Sequence, residues 1–193
     1  MIQIGNLCGF FEKNFMEIAM SINLDIKITE KNLFRFNMNQ AYKGTQGVLS
    51  IVLPLLVFAY AVTSFGDVSI GSTLVYVGLG IVFLVYVPVS LWMRSKKVVQ
   101  DPNNALSKVL HYDFSEEGIR VSVEEESVEF KWENVFQMKT SGDLLLIYTN
   151  RINAYILPLE QVGEKYDALS QLAHAKLEKY RIKMYKENKL TSK

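Results

Sequence analysis

Few side chains in this sequence have the reach for chemistry. The histidines are His111 and His174, and Cys8 is the single cysteine. One cysteine forms no disulfide within the chain and no cysteine-based metal site. His111 falls at an outward position of an alternating stretch, and His174 falls on a helical one. Neither has a cysteine or a metal-spaced carboxylate near it in sequence. Asp113, Glu116 and Glu117 flank a turn, where acids are ordinarily solvated. There is no glycine-rich phosphate loop and no nucleophile elbow, and Gly78-Leu79-Gly80 lies inside an apolar stretch. The expectation is a protein that is not an enzyme and takes no cofactor or metal.

The remaining chemistry is cationic. Lys176, Lys179, Arg181, Lys183, Lys186, Lys189 and Lys193 crowd the C-terminal end against Glu178 and Glu187. Near an anionic leaflet each basic group contributes on the order of 1 kcal/mol. Lys176, Lys179, Arg181, Lys183 and Lys186 are therefore candidate lipid-facing residues, the alternative being a solvated helix end. The net charge of +1 gives no global basic field, which argues against nucleic acid.

That average hides a partition. Residues 44–66 and 68–93 contain no charged residue. A helix needs roughly 20 apolar residues to cross a hydrocarbon core of about 30 Å, so spans are expected at 48–66 and 70–93. The short segment between them has Asp67 and no Lys or Arg, whereas Arg35 and Lys43 flank one side and Arg94, Lys96 and Lys97 the other. Basic residues at span ends stay in the cytoplasm. The expected topology is a two-helix hairpin in the inner membrane, multi-pass, with both termini cytoplasmic. Trp92, next to Arg94, suits an interfacial aromatic belt. No ionisable residue sits within either span, which argues against an ion pathway there.

The elements on either side read as follows. Residues 1–19 form an N-terminal extension whose composition breaks off at Met20, an alternative start. Within 20–43, "INLDIKIT" alternates Ile22, Leu24, Ile26 and Ile28 with polar residues, the period-2 pattern of a half-buried strand. A short juxtamembrane helix follows, capped by Thr29. Residues 94–108 read as a linker. From 109 to 158 come six short strands joined mainly by tight turns, with Val128, Phe130 and Trp132 expected inward and Trp132 read as core. An amphipathic helix is expected over 159–188, with Tyr166, Leu169, Ala173, Leu177, Tyr180 and Met184 on one stripe. The fold class is α+β: an antiparallel bent sheet or partial barrel of pleckstrin-homology-like type with a C-terminal helix. Six strands leave one vacancy, which strand 22–29 is expected to fill by joining the sheet across the membrane segment.

Taken in order, "ITEKNLFRFN", the two spans, "YDFSEEGI", "VEFKWENVFQMKTSGDLLLIYT" and "AYILPLE" resemble the YcxB-like family of small bacterial membrane proteins. The resemblance covers roughly residues 20 to 175. It implies a two-span protein with a cytoplasmic pleckstrin-homology-like domain and carries over no catalytic residues. Many members have basic residues after the proline, whereas Leu159 and Glu160 follow Pro158 here. The functional expectation is a membrane-held cytoplasmic binding or scaffolding module. Its partners would be the lipid bilayer, anionic head groups, and a membrane protein or further copies of the chain. The alternatives are a toxin immunity protein or an accessory subunit of a membrane complex, which gene neighbourhood and co-purification would distinguish.

Overall fold

The computed structural model describes residues 21–185. Cys8, the extension 1–19, the start considered at Met20, and Lys186, Lys189 and Lys193 lie outside the described residues. The described residues divide into two compact units, one built from residues 21–28 and 105–185, the other from Thr29–Asn104.

The first unit is a pair of sheets. β1 (Ile22–Lys27), β2 (Val109–Phe114), β3 (Gly118–Val123) and β4 (Glu126–Lys131) lie in that order in one sheet. The alternation in "INLDIKIT" has the expected consequence: Ile22, Leu24, Ile26 and Ile28 are buried and the residues between them are exposed. β1 pairs antiparallel with β2 over its full length, from Ile22 opposite Phe114 to Lys27 opposite Val109. The strand vacancy is filled by a segment that precedes the second unit in sequence, so that unit is an insertion between two neighbouring strands. The second sheet has the order β7 (Ala154–Pro158), β6 (Leu144–Tyr148), β5 (Gln137–Ser141), β8 (Ile182–Lys183). Every residue of β6 is buried, as a continuous apolar run implies.

The turns follow their chemistry. Gly142 takes φ +63° between β5 and β6, a left-handed conformation that glycine adopts without steric cost. Gly118 sits where a Cβ would come 2.6 Å from the Phe130 carbonyl oxygen, so β3 and β4 approach closely there. Trp132 is buried as expected, and its indole donates to the Ser115 carbonyl at 2.8 Å. Val128 and Phe130 do not share its burial. Val128 is 56% exposed and Phe130 is half-buried, because β4 is a sheet edge with no strand beyond it among the described residues. Asp113 is not simply solvated either, since its Oδ1 is buried without a hydrogen-bond partner among the described residues.

The expected single helix over 159–188 is broken. α4 (Leu159–Val162) stops at Gly163, φ +53°, and α5 (Lys165–Lys176) follows. Tyr166, Leu169, Ala173 and Leu177 are buried as the stripe predicts, but the helix ends at Leu177 and Tyr180 is 67% exposed. No helix breaker stands there. Tertiary hydrogen bonds hold the chain extended instead: Tyr166 Oη donates to the Tyr185 carbonyl at 3.0 Å, the Tyr185 amide donates to Thr140 Oγ1 at 2.9 Å, and Ile182 pairs with Met138 in parallel register. Such contacts outweigh a helix propensity worth a few tenths of a kcal/mol per residue.

The second unit is helical. Thr29 caps α1 (Glu30–Ala41) by accepting from the Asn32 amide at 3.2 Å. α2 (Thr45–Thr63) ends earlier than the expected 66, where Gly66 at φ +101° permits a turn. α3 (Ile70–Gln100) starts at the expected residue, with Ser69 as its cap, and runs through Arg94–Gln100, which therefore is not linker. The first breaker after the span is Pro102, and α1 supports this extension: Phe34 meets Trp92 edge-to-face at 5.3 Å, Asn37 donates to Ser95 at 3.1 Å, and Gln100 donates to Glu30 at 2.9 Å. α2 and α3 touch at Tyr60 and Tyr76, 5.1 Å apart, and at Gly80, whose missing side chain admits the Phe58 ring. α3 is long and apolar enough to cross a membrane, and α2 adds a shorter apolar run, Gly47–Thr63.

Candidate functional site

The first unit has a groove of about 270 Å³ between the corner after β4 and the turn Lys179–Arg181. It is lined by Glu133, Asn134, Phe136, Gln137, Thr149, Tyr180 and Arg181. Its two aromatic side chains, Phe136 and Tyr180, are unusually exposed for their size. Arg181 is held in place by several hydrogen bonds. Its Nη1 donates to the carbonyls of Glu133 at 3.1 Å and Val135 at 3.2 Å, its Nε donates to Tyr180 Oη at 3.3 Å, and its guanidinium carbon lies 5.7 Å from the Tyr180 ring centre. The bond to Tyr180 raises the guanidinium pKa further above its ordinary value. The groove can hold an uncharged or weakly anionic group against aromatic faces, with amide and hydroxyl groups for orientation.

Alternation alone did not single out this groove. Phe136 precedes β5 and looks like a strand residue, and Tyr180 falls in phase with the apolar stripe of α5. The sequence signal available was the aromatic Tyr180 set among Lys179, Arg181 and Lys183, a composition ill suited to a buried stripe.

The cationic candidates separate. Lys176 Nζ is ion-paired with Glu116 at 3.0 Å, and Arg181 is engaged with backbone carbonyls. Lys183 lies opposite Lys139 in the β5–β8 register, two like charges on adjacent strands, and Lys179 and Lys183 are exposed. Lys186 lies outside the described residues. Of the residues expected to set topology, Arg35 and Lys43 are exposed on and just after α1, and Arg94, Lys96 and Lys97 are exposed on the last part of α3.

The histidines are accounted for locally. His174 Nδ1 donates to the Ser170 carbonyl at 2.7 Å within α5. His111 Nδ1 stands 2.6 Å from Asp25 Oδ1, its register partner on β1, a contact invisible in a sequence where the two are far apart. Both side chains are more than half exposed, which makes this a weak surface pair. Among the described residues no group of three or more His, Cys, Asp or Glu side chains is arranged to hold a metal.

Comparison with curated proteins and with solved structures gives no match. A family model described as YcxB-like protein matches residues 114–173, the stretch from the end of β2 into α5. That match bears out, over these residues, the resemblance carried by "VEFKWENVF" and "AYILPLE".

Proposed function

We propose that this chain is an integral membrane protein of the inner membrane, in which α2 and α3 cross as a hairpin and hold a non-catalytic binding module at the cytoplasmic face. One observation carries the reading. α3 contains an 18-residue window with a mean hydropathy of 2.3, of which only 6% is buried by the rest of the protein. A core helix of a soluble protein would be covered; an uncovered apolar surface of this length calls for a lipid solvent. With 31 residues and a rise of about 1.5 Å each, α3 is about 46 Å long. That exceeds the hydrocarbon thickness of about 30 Å. The surplus corresponds to the end that carries Arg94, Lys96 and Lys97. The basic flanks and the uncharged short connection support both termini being cytoplasmic. Seven antiparallel strands in two sheets with a helix after the last support a pleckstrin-homology-like reading of the module. The aromatic groove is its recognition surface, and the exposed Lys179 and Lys183 are its contacts to anionic head groups.

The test uses the full chain with Cys8→Ser as background. It should stay in the membrane pellet after alkaline carbonate extraction. Asp67→Cys should react with an impermeant maleimide on intact cells, and Asn103→Cys only after permeabilisation. Release by carbonate, or labelling of Asn103→Cys from outside, overturns the reading.

A further inference from the structure

Among the described residues β4 is an open edge of its sheet. The far edge of the same sheet is covered: the Gln161 side-chain amide accepts from the Lys27 amide at 2.8 Å and donates to the Lys27 carbonyl at 2.9 Å, and Lys165 Nζ reaches the Asn23 carbonyl at 2.6 Å. Natural sheets blunt exposed edges with proline, bulges or covering segments, because an unpaired row of N–H and C=O groups templates another strand. Among the described residues β4 has no proline, bulge or covering segment, and of the usual edge protections it carries only charged side chains, Glu126, Glu129 and Lys131. It is regular over six unbroken pairs with β3, contains no proline, and exposes Val128 at its centre.

The two-residue turn Glu124–Glu125 makes Val123 and Glu126 the closing pair of the β3–β4 hairpin. In antiparallel alternation the backbone groups of Ser127, Glu129 and Lys131 then point away from β3, toward the open side, and Glu125 stands in the turn at the end of that row. A second β4 running antiparallel across a two-fold axis must match residues that face the same way. Three registers centre on the strand. Centring on Ser127 sets Glu125 against Glu129 of the other copy, and centring on Glu129 sets that residue against itself; both place like charges together. Centring on Val128 sets Lys131 against the turn residue Glu125 twice, Glu126 against Phe130 twice, Ser127 against Glu129 twice, and Val128 against itself. Glu129 is already neutralised by Arg120 at 2.9 Å. Like charges directly opposite destabilise a sheet and opposite ones stabilise it, so the charges select one register.

We propose that the chain forms a homodimer through its β4 edges, centred on Val128, with two Lys131–Glu125 ion pairs across the axis, giving a continuous eight-stranded antiparallel sheet. The occupant of the edge is a second copy because the edge is self-complementary in charge in this register. Val128 meets its copy in a non-hydrogen-bonded pair, where Cα atoms are about 4.5 Å apart, within disulfide range.

The full chain is tested in native membranes and in mild detergent, in the Cys8→Ser background. Val128→Cys should give an oxidant-dependent, reductant-sensitive dimer of this chain. Lys131→Glu and Glu125→Lys should each weaken the dimer, roughly tenfold in dissociation constant for two lost pairs, as read by light scattering. The double swap should restore it. All of these side chains are exposed, so the monomer fold persists, and unchanged Trp132 fluorescence verifies that. A monomer at all concentrations, a crosslink of Val128→Cys to a different protein, or a double swap no better than the single ones overturns the proposal.

Discussion

Tyr112 shows how a single buried group sets both stability and its pH dependence. The ring lies 6.1 Å from Phe114 and 6.0 Å from Tyr155, and the hydroxyl is buried with no partner among the described residues. Burial, assisted by nearby Tyr155, pushes its pKa far above the usual value. An unpaired buried hydroxyl is a net cost, so Tyr112→Phe is expected to stabilise the β unit by on the order of 1 kcal/mol. The pH effect has a definite sign. Above pH about 10 the unfolded phenol loses its proton while the folded one keeps it. Stability is therefore complete below that pH and falls as pH rises beyond it. Tyr112→Phe should flatten this alkaline loss without abolishing it, because burial also raises Tyr155 and Tyr166. Proteolysis of the full chain in nanodiscs at pH 8 and pH 10.5, with and without the substitution, checks both statements.

Among the elements, the β3–β4 hairpin is the most exposed to a small change. Gly118 pairs with Lys131, and an added methyl group would press on the Phe130 carbonyl. Gly118→Ala is expected to cost about 1–3 kcal/mol, to splay β4 from β3, and to disturb Trp132, whose indole bond to Ser115 lies at the same end. A red shift of tryptophan emission together with faster proteolysis near residue 126 would report it; unchanged protection would show that β3 and β4 do not need this approach. Gly80→Ile makes the parallel test on α2 and α3, where the Phe58 ring occupies the place of a side chain. Loss of Tyr60–Tyr76 proximity, measured by crosslinking between cysteines at those positions, is the expected result.

At the scale of the molecule, the β unit depends on a strand that the chain lays down before it enters the membrane segment. Ile26 is fully buried opposite Leu110. Ile26→Ala should therefore destabilise the unit by about 2–5 kcal/mol. Its effect should appear as increased protease sensitivity throughout residues 105–185, far from the substitution in sequence. If only the N-terminal segment became sensitive, β1 would be an accessory to the sheet and not part of its core. This arrangement also means that the sheet cannot be completed until the inserted segment has been made, a long-range contact of the kind that slows folding.

Much of this was legible in the sequence because it is local. Period-2 alternation determined which residues of β1 are buried, turn residues determined where β2 to β7 begin and end, and charge-free windows determined which helices are apolar. These signals live in residues two to four positions apart. Tertiary structure alone decided the rest. It chose β2 as the partner of β1, brought His111 to Asp25, left Val128 at an edge, and ended α5 at Lys176 so that Ile182–Lys183 lie beside β5. Each of these depends on which distant backbone groups remain to be satisfied once the strands have paired, and no run of neighbouring residues encodes that.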